Sequence, residues 1–161
     1  MPFESRVFQL PKDTEHPEEN QDAFGLDSSR GIAAVADGVT SSIFARHWAG
    51  ILTEATVADA PDPNDEEAFS RWLQLRRQAW SQRIDTSSLA WFQKAKLPTG
   101  AFSTLIWIRV SPAVDEQPGT FGAHRLEGFA IGDSCLFHVR HGEVLRSFPI
   151  QKAHQLEAER D

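Results

Sequence analysis

Two short apolar runs separated by turn residues stand out near the start of the chain. The runs cover 22–26 and 32–36, and the turn-forming stretch 27–31 (Asp-Ser-Ser-Arg-Gly) lies between them. This pattern predicts a β-hairpin. The first strand of an antiparallel hairpin begins beside the end of the second strand, so we expect Asp22 and Asp37 to meet at one end of the sheet.

Apolar residues recur at helical spacing through the middle of the chain. Residues 40–42 (Thr-Ser-Ser) are candidate N-caps for a helix whose apolar positions fall within 43–55. A second helix is predicted over 65–84, with acidic residues in its first turn, and a short third helix over 89–96. Because the first helix would begin soon after Asp37, its positive dipole end should point toward the carboxylates.

The last third of the chain is rich in β-branched and aromatic residues. Strands are predicted over 102–110, 121–131, 135–140 and 144–148, in addition to a weakly alternating one at 5–10. Strands, then helices, then strands again, without regular βαβ alternation, indicate an α+β protein with mostly antiparallel sheets flanked by helices.

Length and charge narrow the class of protein. The 161 residues suit a single domain, 1–161, ending in a polar tail at 151–161. A net charge of −7 argues against a nucleic-acid partner, and no apolar stretch is long enough to span a membrane. The only cysteine, Cys135, excludes an intramolecular disulfide, and with no signal-peptide pattern this favours a cytoplasmic location.

Aromatic and basic residues of the helical region are expected to have structural roles. Trp72, Trp80 and Trp91 fall at helical spacing and are predicted to be core residues rather than a stacking platform for nucleic acid. The pair Arg76-Arg77 is predicted to lie on a solvated helix face.

Acidic residues at predicted strand ends are the best candidates for chemistry. Asp22 and Asp37 would repel each other unless a cation or a proton lay between them, and Asp133 follows a later strand. Magnesium and manganese prefer oxygen ligands, and Gly38 or Gly132 would let the backbone approach a ligand closely. The alternative is that these are ordinary turn residues, because Asp-Gly pairs are frequent in turns.

Four short motifs follow one another along the chain. They are Asn20-Gln-Asp22-Ala-Phe24, Ala34-Val-Ala-Asp-Gly38, Gly100-Ala-Phe-Ser-Thr104 and Phe129-Ala-Ile-Gly-Asp-Ser134. Their order and separations resemble those of the metal-dependent protein phosphatases of type 2C, in particular bacterial ones. The stretch 136–143 is similar to the strand–turn–strand that follows Gly-Asp-Ser in that family. The resemblance covers about residues 5–150.

The resemblance implies a layered α-β-β-α sandwich, with this chain matching its N-terminal part, and a two-metal centre at one edge. In such enzymes the residue matching Asp37 bridges two magnesium or manganese ions, and the carbonyl matching Gly38 binds one of them. The pair matching Gln21-Asp22 reaches a metal directly or through water. The residue matching Asp133 belongs to a third metal site in some members. Asp22 and Asp37 are therefore the candidate catalytic residues.

The implied activity is hydrolysis of phosphoserine and phosphothreonine esters in proteins by a metal-activated water. The implied partners are a phosphoprotein substrate and a cognate serine/threonine kinase.

The chain departs from the family pattern at several positions. Pro17 stands where the family often has a phosphate-binding Arg, and Lys12 and His16 are candidate substitutes, although surface roles suit both. Val39 replaces a His proposed as general acid, and Gln21 replaces an acid.

Two further metal-ligand motifs of the family, Ser-Asp-Gly and Asp-Asn, do not occur after residue 134. A metal site with so few carboxylates is expected to bind weakly, because affinity follows ligand charge and number. The alternative function is a truncated or degenerate phosphatase-like domain that serves as a binding or regulatory module without turnover, or as one half of a site completed by another chain.

Overall fold

The chain folds as an α+β protein with two antiparallel sheets. The computed structural model describes residues 4–11, 14–16, 19–112 and 124–150. The elements are β1 (Asp22–Asp27), β2 (Ile32–Asp37), α1 (Ala45–Ala58), α2 (Glu66–Gln82), α3 (Trp91–Lys96), a 3₁₀ turn (Leu97–Thr99), β3 (Leu105–Pro112), β4 (His124–Ile131), β5 (Leu136–Arg140) and β6 (Glu143–Phe148). One sheet has the order β1-β2-β3-β4, and β5 and β6 form the second. The predicted α+β class with antiparallel sheets is confirmed, whereas the predicted tail at 151–161 lies outside the described residues.

The predicted hairpin is confirmed, and its turn is held by side chains. The Asp27 carboxylate accepts hydrogen bonds from the backbone N–H groups of Ser29 and Arg30, both at 3.0 Å, and from the Ser29 hydroxyl at 2.6 Å. The Ser29 hydroxyl makes the largest contribution to lowering the pKa of Asp27 below its usual value. Gly31 completes the turn at a φ of 66°, which glycine adopts without strain.

Helix α1 covers one face of the four-stranded sheet. The alternating residues Ile32, Ala34 and Ala36 of β2 are fully buried beneath it. Gly25 lets β1 approach the helix closely, since a Cβ there would lie 2.8 Å from Val57 Cγ2 and 2.9 Å from the Thr53 carbonyl oxygen. The guanidinium of Arg30 donates to the Val57 carbonyl at 3.1 Å and so satisfies the C-terminal end of α1.

Helix α2 extends the same core across β3 and β4. Trp72 packs in the core cluster with Trp107 and Phe129, and the Phe69 ring meets Phe129 edge-on. The predicted start of this helix is confirmed, because the Asp65 side chain accepts the Ala68 N–H at 2.9 Å as an N-cap.

The predicted start of α1 at 40–42 is wrong. The helix begins at Ala45 after Phe44, which has a left-handed conformation with φ 53° and provides no side-chain cap. The hydroxyl of Ser42, a predicted cap, instead donates to the Val39 carbonyl at 2.8 Å and accepts the Phe102 N–H at 3.1 Å. A bond to a residue distant in sequence thus replaces the local capping bond.

Two other predictions are corrected. Residues 5–10 form no strand, and Phe8 and Leu10 are 87 % and 86 % exposed, because no neighbouring strand pairs with them in the described part of the chain. Trp91 is 81 % exposed at the start of the short α3, where its ring contacts only Phe92 among the described aromatic residues.

The sheet face opposite α1 is partly uncovered. Strand alternation places Phe24, Leu26, Val35 and Leu126 on this face, and each side chain is between 41 and 53 % exposed. The segment leading into β5 lies over part of the face and encloses a cavity of about 240 Å³. Among the described residues, no helix is both long and apolar enough to cross a membrane.

Candidate functional site at the acidic end of the sheet

Asp22 and Asp37 lie directly opposite each other at one end of the sheet, as the hairpin pattern predicts. They are the terminal pair of the β1–β2 register. The Gly38 N–H donates to the Gln21 carbonyl at 3.3 Å, so the ladder bond falls on the neighbouring pair. Residues 22 and 37 therefore form a non-hydrogen-bonded pair, in which opposing Cα atoms are only about 4.5 Å apart and side chains share one face. Two carboxylates in this position repel each other unless a cation or a proton lies between them.

Gly38 brings a backbone carbonyl to the same place. A Cβ at this position would lie 2.9 Å from both the Ala45 Cβ and the Gln21 carbonyl oxygen, so only glycine fits. The Gly38 carbonyl oxygen accepts no hydrogen bond from the residues that the structure describes. Two carboxylates and this carbonyl are hard oxygen donors, which suit magnesium or manganese.

The first turn of α1 lies beside this end of the sheet, on the face that carries Ala34 and Ala36. Strand alternation places the Asp22 and Asp37 side chains on the other face, so the structure does not bear out the prediction that the positive end of the helix points toward the carboxylates. Gln21 joins the two elements, because its side-chain oxygen accepts the Arg46 N–H at 2.9 Å. The other end of the Gln21 amide donates to the Glu19 carbonyl at 2.9 Å. Gln21 is thus a helix cap supplied from a distant part of the chain. Of the pair Gln21-Asp22, only Asp22 contributes a carboxylate.

Thr104 connects the ends of three strands. Its hydroxyl accepts the Asp37 N–H at 3.1 Å and lies 2.6 Å from the Ser134 hydroxyl, while its own N–H donates to the Asp37 carbonyl at 2.9 Å. The Ser103 hydroxyl lies 2.9 Å from the same Asp37 carbonyl and 2.8 Å from the Thr104 carbonyl, so its single proton is shared between the two acceptors. The backbone of Asp37 is therefore held from the β3 side on both its N–H and its C=O.

Asp133 lies at the same end of the sheet but does not join Asp22 and Asp37 in one cluster. It follows β4, next to Ser134, and is exposed. Within the described ranges, no group of three or more His, Cys, Asp or Glu side chains is close enough to hold a metal ion. The site as described is a carboxylate pair with one carbonyl.

The positioning role of Thr104 was missed at the level of sequence. The only signal was the motif Gly100-Ala-Phe-Ser-Thr104, which does not reveal that its hydroxyl faces Asp37 and Ser134. Of the candidate phosphate-binding positions, His16 is exposed, and Lys12 and Pro17 lie outside the described residues.

Replacing Thr104 by valine is expected to destabilise the protein by about 1–3 kcal/mol. Valine keeps the shape of threonine but leaves the Asp37 N–H and the Ser134 hydroxyl without this partner. Urea denaturation followed by circular dichroism measures the change, and Thr104→Ser is the control that retains the hydroxyl. Equal stability of the valine variant and the wild type would contradict the assigned role.

Comparison with known proteins adds no relative. No family model, curated protein or solved structure matches this chain.

Proposed function

We propose that this protein is a metal-dependent serine/threonine protein phosphatase. The observation that carries the proposal is the placement of Asp22 opposite Asp37 at the end of adjacent strands, with the Gly38 carbonyl beside them. The order of the four sequence motifs supports the same assignment. The proposed location is the cytoplasm, and the proposed partners are phosphoserine or phosphothreonine proteins and a cognate kinase.

Each group of the acidic end has a defined part in this proposal. Asp37 and Asp22 hold the cation through their carboxylates, and Gly38 adds its carbonyl oxygen. Ser103 and Thr104 hydrogen-bond to the Asp37 backbone and so fix the position from which the Asp37 side chain extends. Magnesium or manganese, when bound, would supply an activated water and neutralise charge on the phosphoryl oxygens. Asp133 is proposed as a ligand of an accessory ion.

Asp22, Asp37 and the Gly38 carbonyl provide only the small number of protein ligands that a magnesium site needs. Magnesium is usually bound through one or two carboxylates, with waters and substrate phosphates completing its octahedron. The pair at the end of β1 and β2 meets this minimum, and the substrate phosphate would itself complete the coordination. Metal affinity should accordingly be weak without a phosphate ligand.

A second function is favoured by one specific observation. The described residues contain no cluster of three potential metal-ligating side chains. A phosphatase-like domain with so few metal-ligating side chains could serve as a binding or regulatory module without turnover. It could also contribute half of a site that another chain completes.

Manganese titration combined with a phosphatase assay separates these functions. The chain should hydrolyse p-nitrophenyl phosphate only with manganese, lose this activity in EDTA and regain it when manganese is restored. A phosphoserine peptide should be hydrolysed faster than the matching phosphotyrosine peptide. Calorimetric manganese binding without turnover would favour the regulatory module, and no metal binding at all would refute the phosphatase.

A further inference from the structure

A large apolar cleft lies on the helical side of the molecule, away from the face that carries Asp22 and Asp37. It measures about 530 Å³ and is bounded by α1, α2 and the segment 97–103 that leads into β3. Three tryptophans line it, Trp48 from α1 and Trp72 and Trp80 from α2. Its size and its mainly apolar, aromatic lining are typical of small-molecule sites.

The tryptophans at the cleft already have partners for their polar atoms. Trp72 Nε1 donates to the Asp59 carbonyl at 3.0 Å, and Trp80 Nε1 donates to the Phe44 carbonyl at 3.4 Å. Both indole N–H groups are therefore used within the protein. Trp48 and Trp72 are each only 7 % exposed, so they present small parts of their rings, and the apolar lining as a whole favours an apolar or aromatic group.

The charge of the cleft is opposite in sign to that of the protein. The chain carries a net charge of −7, yet Arg77 is the only charged residue in the lining formed by the described part of the chain. Arg77 belongs to this lining and is exposed. The hydroxyl residues Ser81 and Thr99 also belong to the lining and offer hydrogen bonds. This combination is complementary to an apolar ligand that carries one anionic group.

We propose that this cleft binds a small organic carboxylate. An aromatic or alkyl group would pack among the three tryptophans, and the carboxylate would pair with Arg77. The ligand would approach from the helical side, so its binding does not require the metal site. The proposal is independent of the proposed phosphatase activity.

A pair of dyes that differ in charge tests the proposal on the whole chain. Anilinonaphthalene sulfonate is aromatic and anionic, whereas phenylnaphthylamine has a similar shape without the charge. Energy transfer from the tryptophans to the bound dye reports binding to the protein, and the variants described below locate the bound dye. The anionic dye should bind about tenfold more tightly than the neutral one, and decanoate should displace it more effectively than decanol.

Two arginines of α2 provide matched variants. Arg77→Gln should weaken binding of the anionic dye about tenfold and leave binding of the neutral dye unchanged. Arg71→Gln removes the same charge from the same helix, but Arg71 pairs with Glu67 at 2.6 Å and does not line the cleft. Its dye affinity should stay within about twofold of the wild type.

The uncovered sheet face is the competing location for a dye. Phe24→Ser should leave the energy-transfer signal unchanged, because Phe24 lies on the opposite side of the sheet from the cleft. Loss of the signal in this variant would overturn the proposal, as would equal effects of the two arginine substitutions. Equal displacement by decanoate and decanol in the wild type would overturn it without relying on any variant.

Discussion

Asp37→Asn is expected to reduce manganese-dependent hydrolysis of p-nitrophenyl phosphate by at least about a hundredfold. Asparagine has nearly the same shape as aspartate, so the backbone bonds to Ser103 and Thr104 are retained. The charge that opposes Asp22 across the strand pair is removed. Because affinity for a hard cation follows the number of negative ligands, manganese binding should weaken by about tenfold or more. Initial rates over a manganese titration measure both effects.

Asp59→Asn is the matched control for this change. Asp59 follows α1 at the end of the molecule where Arg30 contacts Val57, opposite to the end that carries Asp37. The substitution removes the same charge, yet turnover and manganese affinity should be unchanged. Wild-type rates in Asp37→Asn, or an equal loss in the two variants, would refute the proposed metal site.

Trp107→Ala is expected to cost about 3–5 kcal/mol of folding stability. Trp107 is 7 % exposed, stacks on Phe129 with ring centroids 5.7 Å apart, and lies beneath the guanidinium of Arg109 at 5.2 Å. Its indole N–H has no partner among the described residues, so the loss would come from packing. Such a cost is a large part of the roughly 5–15 kcal/mol that stabilises a typical domain. Urea denaturation followed by circular dichroism would detect it.

Trp91→Ala removes the same side chain from an exposed position. Since Trp91 is 81 % exposed, its replacement should change the free energy of unfolding by no more than about 0.5 kcal/mol. If the two alanine variants were equally stable, Trp107 could not be a principal core residue.

The features predicted well from sequence are those set by local chemistry. The β1–β2 hairpin depends on two short apolar runs and on turn residues within 27–31, all of which are adjacent in the chain. The pairing of Asp22 with Asp37 then follows from antiparallel geometry. The start of α2 close to Asp65 is equally local, because the donor and acceptor of its capping bond are three residues apart.

The features predicted poorly depend on partners far away in sequence. The start of α1 was misplaced because the Ser42 hydroxyl bonds to Phe102, and because the helix receives its cap from Gln21. The role of Thr104 likewise arises only when β2, β3 and the end of β4 come together. Trp91 has the same apolar character as Trp72, and only the packing of the folded chain distinguishes them.

The two hydrogen bonds that join the first hairpin to α1 require the hairpin and the helix to have similar lengths. Gln21 binds the first turn of the helix, and Arg30 binds its last carbonyls. A helix of 14 residues is about 21 Å long, and a six-residue strand extends about 20 Å. The helix and the hairpin therefore match in length, so the bonds from Gln21 and Arg30 hold the hairpin to α1 at both ends. An inserted residue in either strand would break this match and displace Asp22 from Asp37.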